Sequence, residues 1–126
     1  FPTETEEDFA MTLSLVKQLA PASAYCFKYS PRDSTESASR PDDCAQELKE
    51  DRLARLNEVV DRLTKSALDS HLGRKVQVLN EQAGFGRTRE GFKTRWQGAP
   101  SVPGTLTQVR ITGATRRTLL GEIDER

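Results

Sequence analysis

The residues with the most distinctive chemistry lie in the C-terminal half. Between Arg74 and Arg117 the cations are Arg74, Lys75, Arg87, Arg89, Lys93, Arg95, Arg110, Arg116 and Arg117, opposed only by Glu81 and Glu90. Phe85, Phe92 and Trp96 are interleaved with them. Guanidinium forks match phosphate oxygens and aromatic faces stack on bases, so this mixture is a candidate for holding RNA. Cations alternating along strands also make the ordinary solvated face of a half-buried sheet, and composition leaves both readings open. Alternation puts Phe92 and Trp96 on one face, expected in a core, and Lys93 and Arg95 on the other, expected outward. Phe85, between Gly84 and Gly86, is expected exposed in a loop.

The N-terminal half offers less. Tyr29-Ser30-Pro31-Arg32 closes an apolar run, and in parallel α/β folds ligands gather where strands end. A hydroxyl and a guanidinium there could hold a carboxylate or phosphate; Arg32 could equally pair with Asp33 or Glu36 in a surface loop. Glu4, Glu6, Glu7 and Asp8 read as charge favouring a helix N-terminus rather than acid/base catalysts. The two cysteines, Cys26 and Cys44, have no CxxC spacing, and His71 is the sole histidine. A zinc site takes about four ligands, so no metal is expected on this chain. Cys26 is expected buried and Cys44 exposed, both reduced in a cytoplasmic setting. Gly84-Phe85-Gly86 lacks the strand–turn–helix setting of a phosphate loop.

These groups must be placed by a small, polar chain. It has 126 residues, of which 35% are hydrophobic and 30% charged. A modest core is all such a length allows, and no apolar run reaches the roughly 18 residues of a membrane span. The net charge of zero hides a split: residues 1–68 carry 9 basic and 13 acidic side chains, residues 69–126 carry 10 and 6. Thr5 is a good N-cap, and the apolar spacing after it predicts a helix over 6–19, stopped by Pro21. Ala24–Tyr29 reads as a buried strand, 30–43 as a polar loop, and 45–68 as a helix with Leu53, Leu56, Val60, Leu63 and Ala67 in a stripe. After Gly73 the period becomes two. Val76 and Val78, then Phe92 to Trp96, Leu106 to Ile111 and Thr118 to Ile123, punctuated by glycines, predict a small antiparallel barrel. One helix and one strand cannot bury both their faces, so an N-terminal part of the same protein is expected to precede Phe1.

Taken in order, several segments resemble the radical-SAM methylthiotransferases. Residues 1–9, Phe-Pro-Thr-Glu-Thr-Glu-Glu-Asp-Phe, are similar to that family's GFPGETEEDF. Phe27 to Thr35 resembles F-x-Y-S-x-R-x-G-T, and Lys49 to Leu56 resembles K-x-x-R-x-x-R-L. Gly86-Arg87-Thr88, Val109 to Ala114 and Leu119 to Glu122 resemble the family's TRAM domain, and the Gly-Arg-Thr is most similar to the tRNA dimethylallyladenosine class. The resemblance implies an α+β chain. Residues 1–43 would be the C-terminal remnant of a radical-SAM partial (β/α) barrel, 44–69 a linking helix, and 70–126 a TRAM, OB-like β-barrel.

It implies a whole enzyme that places a methylthio group on carbon two of a modified adenosine beside the anticodon, using S-adenosylmethionine and two 4Fe-4S clusters. The family's CxxxCxxC is absent from this chain, which alone is not expected to catalyse the reaction. Tyr29, Ser30 and Arg32 would lie at the substrate side. Lys75, Arg87, Arg89, Lys93, Arg95, Arg110, Arg116 and Arg117 would grip the tRNA anticodon stem-loop. A stand-alone RNA-binding module and a fragment of the related class that modifies a ribosomal protein are the alternatives. Thr3, Ser34 and Asn80 stand where the family has glycine, which puts the local backbone there in question.

Overall fold

The computed structural model describes residues 1–98 and 102–123. The elements are α1 (Glu6–Leu19), a short 3-10 turn (Glu36–Ser39), α2 (Gln46–Asp69), β1 (Lys75–Gln82), β2 (Phe85–Thr88), β3 (Lys93–Gln97), β4 (Leu106–Ala114) and β5 (Leu119–Ile123). The chain forms two compact units, Phe1–Leu63 and Thr64–Arg126, which divide inside α2.

In the first unit, α1 begins where its capping residues require. Thr5 is extended, its hydroxyl accepts the Asp8 N–H at 3.1 Å, and the Asp8 carboxylate accepts the Thr5 N–H at 2.9 Å. Two otherwise orphaned donors are thereby satisfied reciprocally. Ala20, left-handed, ends the helix and donates its N–H to the Val16 carbonyl. Phe9 is the buried residue of α1, while Met11, Leu15 and Leu19 are exposed. In α2 the expected stripe holds and is joined by Val59, buried beside Val60.

The expected strand over Ala24–Tyr29 does not form. This segment has no regular structure, with Tyr25 81% and Phe27 84% exposed. An isolated strand leaves its N–H and C=O groups without a ladder, and no strand is described in the first unit to supply one. Cys26 and Cys44 are both half-buried, against the expectations of burial and exposure.

Two of the three departures from glycine fall where the backbone needs glycine. Phe1 C=O accepts the Glu4 N–H and Arg32 C=O accepts the Thr35 N–H, closing two β-turns. The third residues of those turns, Thr3 and Ser34, have φ of 70° and 71°. Glycine is preferred at that position because it has no Cβ to strain. Asn80 has no such conformation. It points into the barrel, where its amide nitrogen donates to the hydroxyls of Thr105 at 2.7 Å and Thr107 at 2.9 Å.

The second unit is a closed five-stranded barrel in the order β1-β2-β3-β5-β4. The barrel is mixed rather than antiparallel throughout as expected, since β3 pairs with β5 in parallel and the other pairs are antiparallel. The reason is geometric: neighbours in a closed ring cannot all alternate in direction when the number of strands is odd. Val78, Trp96, Val109, Ile111 and Leu119 fill the interior with Leu68 of α2, and Phe92 packs against them half-buried. Phe85 is half-buried and belongs to β2, a strand rather than the expected loop. Gly86 makes that strand possible: a Cβ there would overlap the Leu79 carbonyl across the β1–β2 pair.

Replacing Thr3 or Ser34 by glycine removes about 1–2 kcal/mol of left-handed strain and adds about 0.5–1 kcal/mol of chain entropy to the unfolded state. Each variant is expected to gain about 0.5–1 kcal/mol in urea unfolding followed by helix circular dichroism. Gly86→Ala is expected to lose about 1–3 kcal/mol, read from Trp96 emission, because the overlap is with backbone.

Candidate nucleic-acid interface

The strand directions gather cations at one end of the barrel. The register Val78↔Thr88 puts the start of β1 beside the end of β2, and Thr94↔Leu119 puts the start of β3 beside the start of β5. The β2–β3 turn, the β4–β5 turn and the approach to β1 therefore share an end. They bring Arg74, Lys75, Arg89, Lys93, Arg116 and Arg117 there, all exposed. Glu90 shares this end. Its carboxyl is held below the usual range by its own backbone N–H and the Thr88 hydroxyl, with smaller help from His71 and Arg89. His71 is half-buried, its ring 4.7 Å from that of Phe92 and its Nδ1 2.8 Å from the Ala67 carbonyl.

Arg87 and Arg95 extend the positive surface along the outer face of β2 and β3. They alternate with inward-facing Gly86, Thr88, Thr94 and Trp96. The Arg87 Nε donates to Glu81 at 2.8 Å, and the Arg95 guanidinium lies 5.7 Å from the Phe85 ring centroid. Arg110 adjoins the cationic end but not this outer face. It is half-buried on β4, the strand farthest round the ring from the β2–β3 pair, opposite Lys75 and Glu122 in register. Seven of the eight expected RNA-binding cations thus lie at one end or along the β2–β3 side of the barrel; Arg110 neighbours Lys75 of that end but does not lie with Arg87 and Arg95.

In the first unit, Tyr29 and its neighbours part company. The Tyr29 hydroxyl donates to the Ser37 carbonyl at 3.1 Å, its ring meets Phe1 edge-on at 5.0 Å, and Lys49 Nζ lies 5.6 Å from its centroid. It lines a cavity of about 330 Å³ with Phe9, Phe27, Arg52 and Leu53. Ser30 and Arg32 are exposed and do not line this cavity. Glu36 pairs with Arg40 at 3.6 Å rather than with Arg32.

The residue that sequence reasoning missed is Arg52. It is 7% exposed, donates to the Glu4 carboxylate at 3.2 Å, lies 3.5 Å from Glu6, and stands 5.7 Å from the Phe9 ring. Arg55 adds a second cation over Phe9 at 4.8 Å and pairs with Glu6 and Asp51. Glu4 and Glu6 therefore do more than favour a helix end: they tie α1 to α2. The spacing of Arg52 and Arg55, three apart on one helix face, was the available signal.

No family model matches this sequence. The tRNA-2-methylthio-N(6)-dimethylallyladenosine synthase of Protochlamydia amoebophila is 38% identical over 130 residues, covering 98% of this chain and 29% of its own length. The synthase of the same name in Geobacillus kaustophilus is 38% identical over 98% of this chain and 24% of its own length. That of Oceanobacillus iheyensis is 36% identical over 99% of this chain and 25% of its own. Over nearly its whole length this chain is similar to these synthases. It spans roughly a quarter of the relatives' length.

Among the described residues, no group of three or more His, Cys, Asp or Glu side chains could hold a metal ion. Cys26 and Cys44 are free thiols, and Cys44 Sγ faces the Phe1 carbonyl at 3.1 Å. The donor set of the described residues does not fit an iron–sulfur cluster, which needs several thiolates together. No described helix is long and apolar enough to cross a membrane.

The carboxylates of the first unit predict an acid response. Glu6 is held below its usual range by the Arg55 hydrogen bond, Asp8 by the Thr5 N–H and hydroxyl, Asp42 by Lys49, and Glu50 by Gln46 and Lys28. A carboxylate whose folded pKa is depressed contributes stability above its ordinary pKa and loses it as pH falls through the folded value. Helix circular dichroism is therefore expected to fall at a higher pH than Trp96 emission shifts. The reverse order would contradict this.

Proposed function

We propose that this chain is the C-terminal part of a tRNA methylthiotransferase and that its barrel holds the anticodon stem-loop of the substrate. The observation that carries the reading is the cationic end made by the approach to β1 and the β2–β3 and β4–β5 turns, on a chain whose relatives are named for tRNA modification. Phosphate contacts from Arg89, Lys93, Arg116 and Arg117 would set the orientation of the RNA, and such contacts carry no sequence information of their own.

On this reading residues 70–126 are the TRAM domain, 44–69 the linking helix, and 1–43 the end of the radical-SAM partial barrel. The exposed Met11, Leu15, Leu19, Tyr25 and Phe27 support the last assignment, since so much uncovered apolar surface marks a contact region. Their partner would be the N-terminal part of the same enzyme, with Tyr29, Ser30 and Arg32 near the active-site mouth. The reaction adds a methylthio group at carbon two of a dimethylallyl-modified adenosine, in the cytoplasm. S-adenosylmethionine and the two 4Fe-4S clusters supply the radical and sulfur chemistry and belong to the part of the enzyme beyond this chain. This chain's own work is to bind and orient RNA.

Arg87→Ala combined with Arg89→Ala should weaken binding of an anticodon stem-loop. It should also flatten the slope of log affinity against log salt by about 2, one for each phosphate contact removed. Unchanged affinity and slope would remove the β2–β3 region from the RNA site.

A further inference from the structure

Phosphate binding does not account for everything on the outer face of β1, β2, β3 and β4. Leu79 and Leu106 are partners across the β1–β4 pair and remain 47% and 59% exposed. Leu79 is also the partner of Arg87, Arg87 of Lys93, and Phe85 of Arg95. All point outward, because Val78, Asn80, Gly86 and Thr94 between them are buried. Adjacent strands are about 4.8 Å apart, so Leu106, Leu79, Arg87 and Lys93 make one row across four strands. Phe85 and Arg95 begin the next row, with the guanidinium 5.7 Å from the ring centroid. Among the described residues of this patch the sole acid is Glu81, and Arg87 holds it.

An apolar platform framed by cations suits a ligand that is both anionic and flat-faced. Duplex RNA hides its base faces within the stack and offers phosphates and groove edges instead. Unpaired nucleotides offer base faces and phosphates together. Three cations against one acid favour such a polyanion over an ordinary protein surface.

We propose that this face binds unpaired nucleotides of RNA. One base stacks on Phe85 and Arg95, a neighbouring nucleotide lies over Leu79 and Leu106, and Arg87 and Lys93 take the phosphates. The proposal rests on the RNA-binding reading above and narrows it to single-stranded nucleotides at a named aromatic.

The test titrates the full 126-residue chain with a fluorescently labelled single-stranded RNA of twelve nucleotides, and separately with a perfect RNA duplex, at several salt concentrations. Phe85→Ala should weaken single-strand binding about 5- to 150-fold, the range for loss of one base–aromatic stack. The salt slope should not change, since no phosphate contact is removed. Phe85→Leu, which keeps apolar bulk, should lose nearly as much, Phe85→Tyr should bind like the parent, and duplex binding should change less than about twofold. Trp96 emission reports whether each barrel is folded; if Phe85→Ala does not fold, the Leu and Tyr variants decide. Parental affinity in Phe85→Leu, or equal losses for duplex and single strand, overturns the proposal while leaving the RNA reading standing. A parent chain that binds neither RNA at low salt overturns both.

Discussion

Five strands closed into a ring must include at least one parallel pair, and here β3 with β5 is that pair. The grouping of the cations depends on it. Successive strands alternate in direction, so the β2–β3 and β4–β5 turns lie at the same end. Because β5 sits beside β3, the two turns are also neighbours round the ring. Arg89 and Lys93 are thereby brought toward Arg116 and Arg117, which are distant in sequence. The close pairing that closes the ring is equally demanding. Gly86 against the Leu79 carbonyl and Gly121 against the Arg110 carbonyl leave no room for a Cβ. The glycines that punctuate the sequence are thus partly contacts between strands, not just turns.

The first unit is held by a different interaction. Arg52 is buried and charged, a state that is tolerable only when carboxylates and an aromatic face surround it. Glu4, Glu6 and Phe9 supply those, all from the short stretch that begins with a β-turn and a capped helix. Removing either carboxylate would leave the buried charge less fully compensated, so these residues act as a unit. The same unit leaves much apolar surface uncovered, and its aromatic run at Tyr25 and Phe27 faces solvent. A small ionic clasp is sufficient to dock α1 on α2, but it cannot bury the rest.

Both helices were legible because their signals are local. Thr5 with Asp8, and the stripe in α2, need only residues within one or two turns. Four of the five barrel strands, β1, β3, β4 and β5, were legible as apolar runs between glycines, and the inward side of Trp96 followed directly. β2 was not, because four residues containing Gly86 carry no alternation of their own; its place is fixed by pairing with β1 across a two-residue turn. The strand expected at Ala24–Tyr29 failed for the converse reason: an apolar run states a preference for burial, and the partners needed to satisfy it are absent from the described first unit. The basic residues could be named from the sequence, but their convergence could not, since it follows from strand order. Arg110 shows the difference, a cation like the others whose strand carries it away from Arg87 and Arg95. Thr3 and Ser34 were flagged only through the family pattern, and their positive φ gives that flag its physical cause.

On the proposed reading the barrel, and one end and side of it in particular, is the RNA-holding surface. Amide chemical-shift mapping of the chain during titration with an anticodon stem-loop RNA tests it most directly. The perturbed amides are expected to cluster at Phe85 to Lys93 and Thr115 to Thr118, and to recover as salt is raised. Perturbations confined to residues 1–63, or to the β4 surface around Arg110, would contradict it.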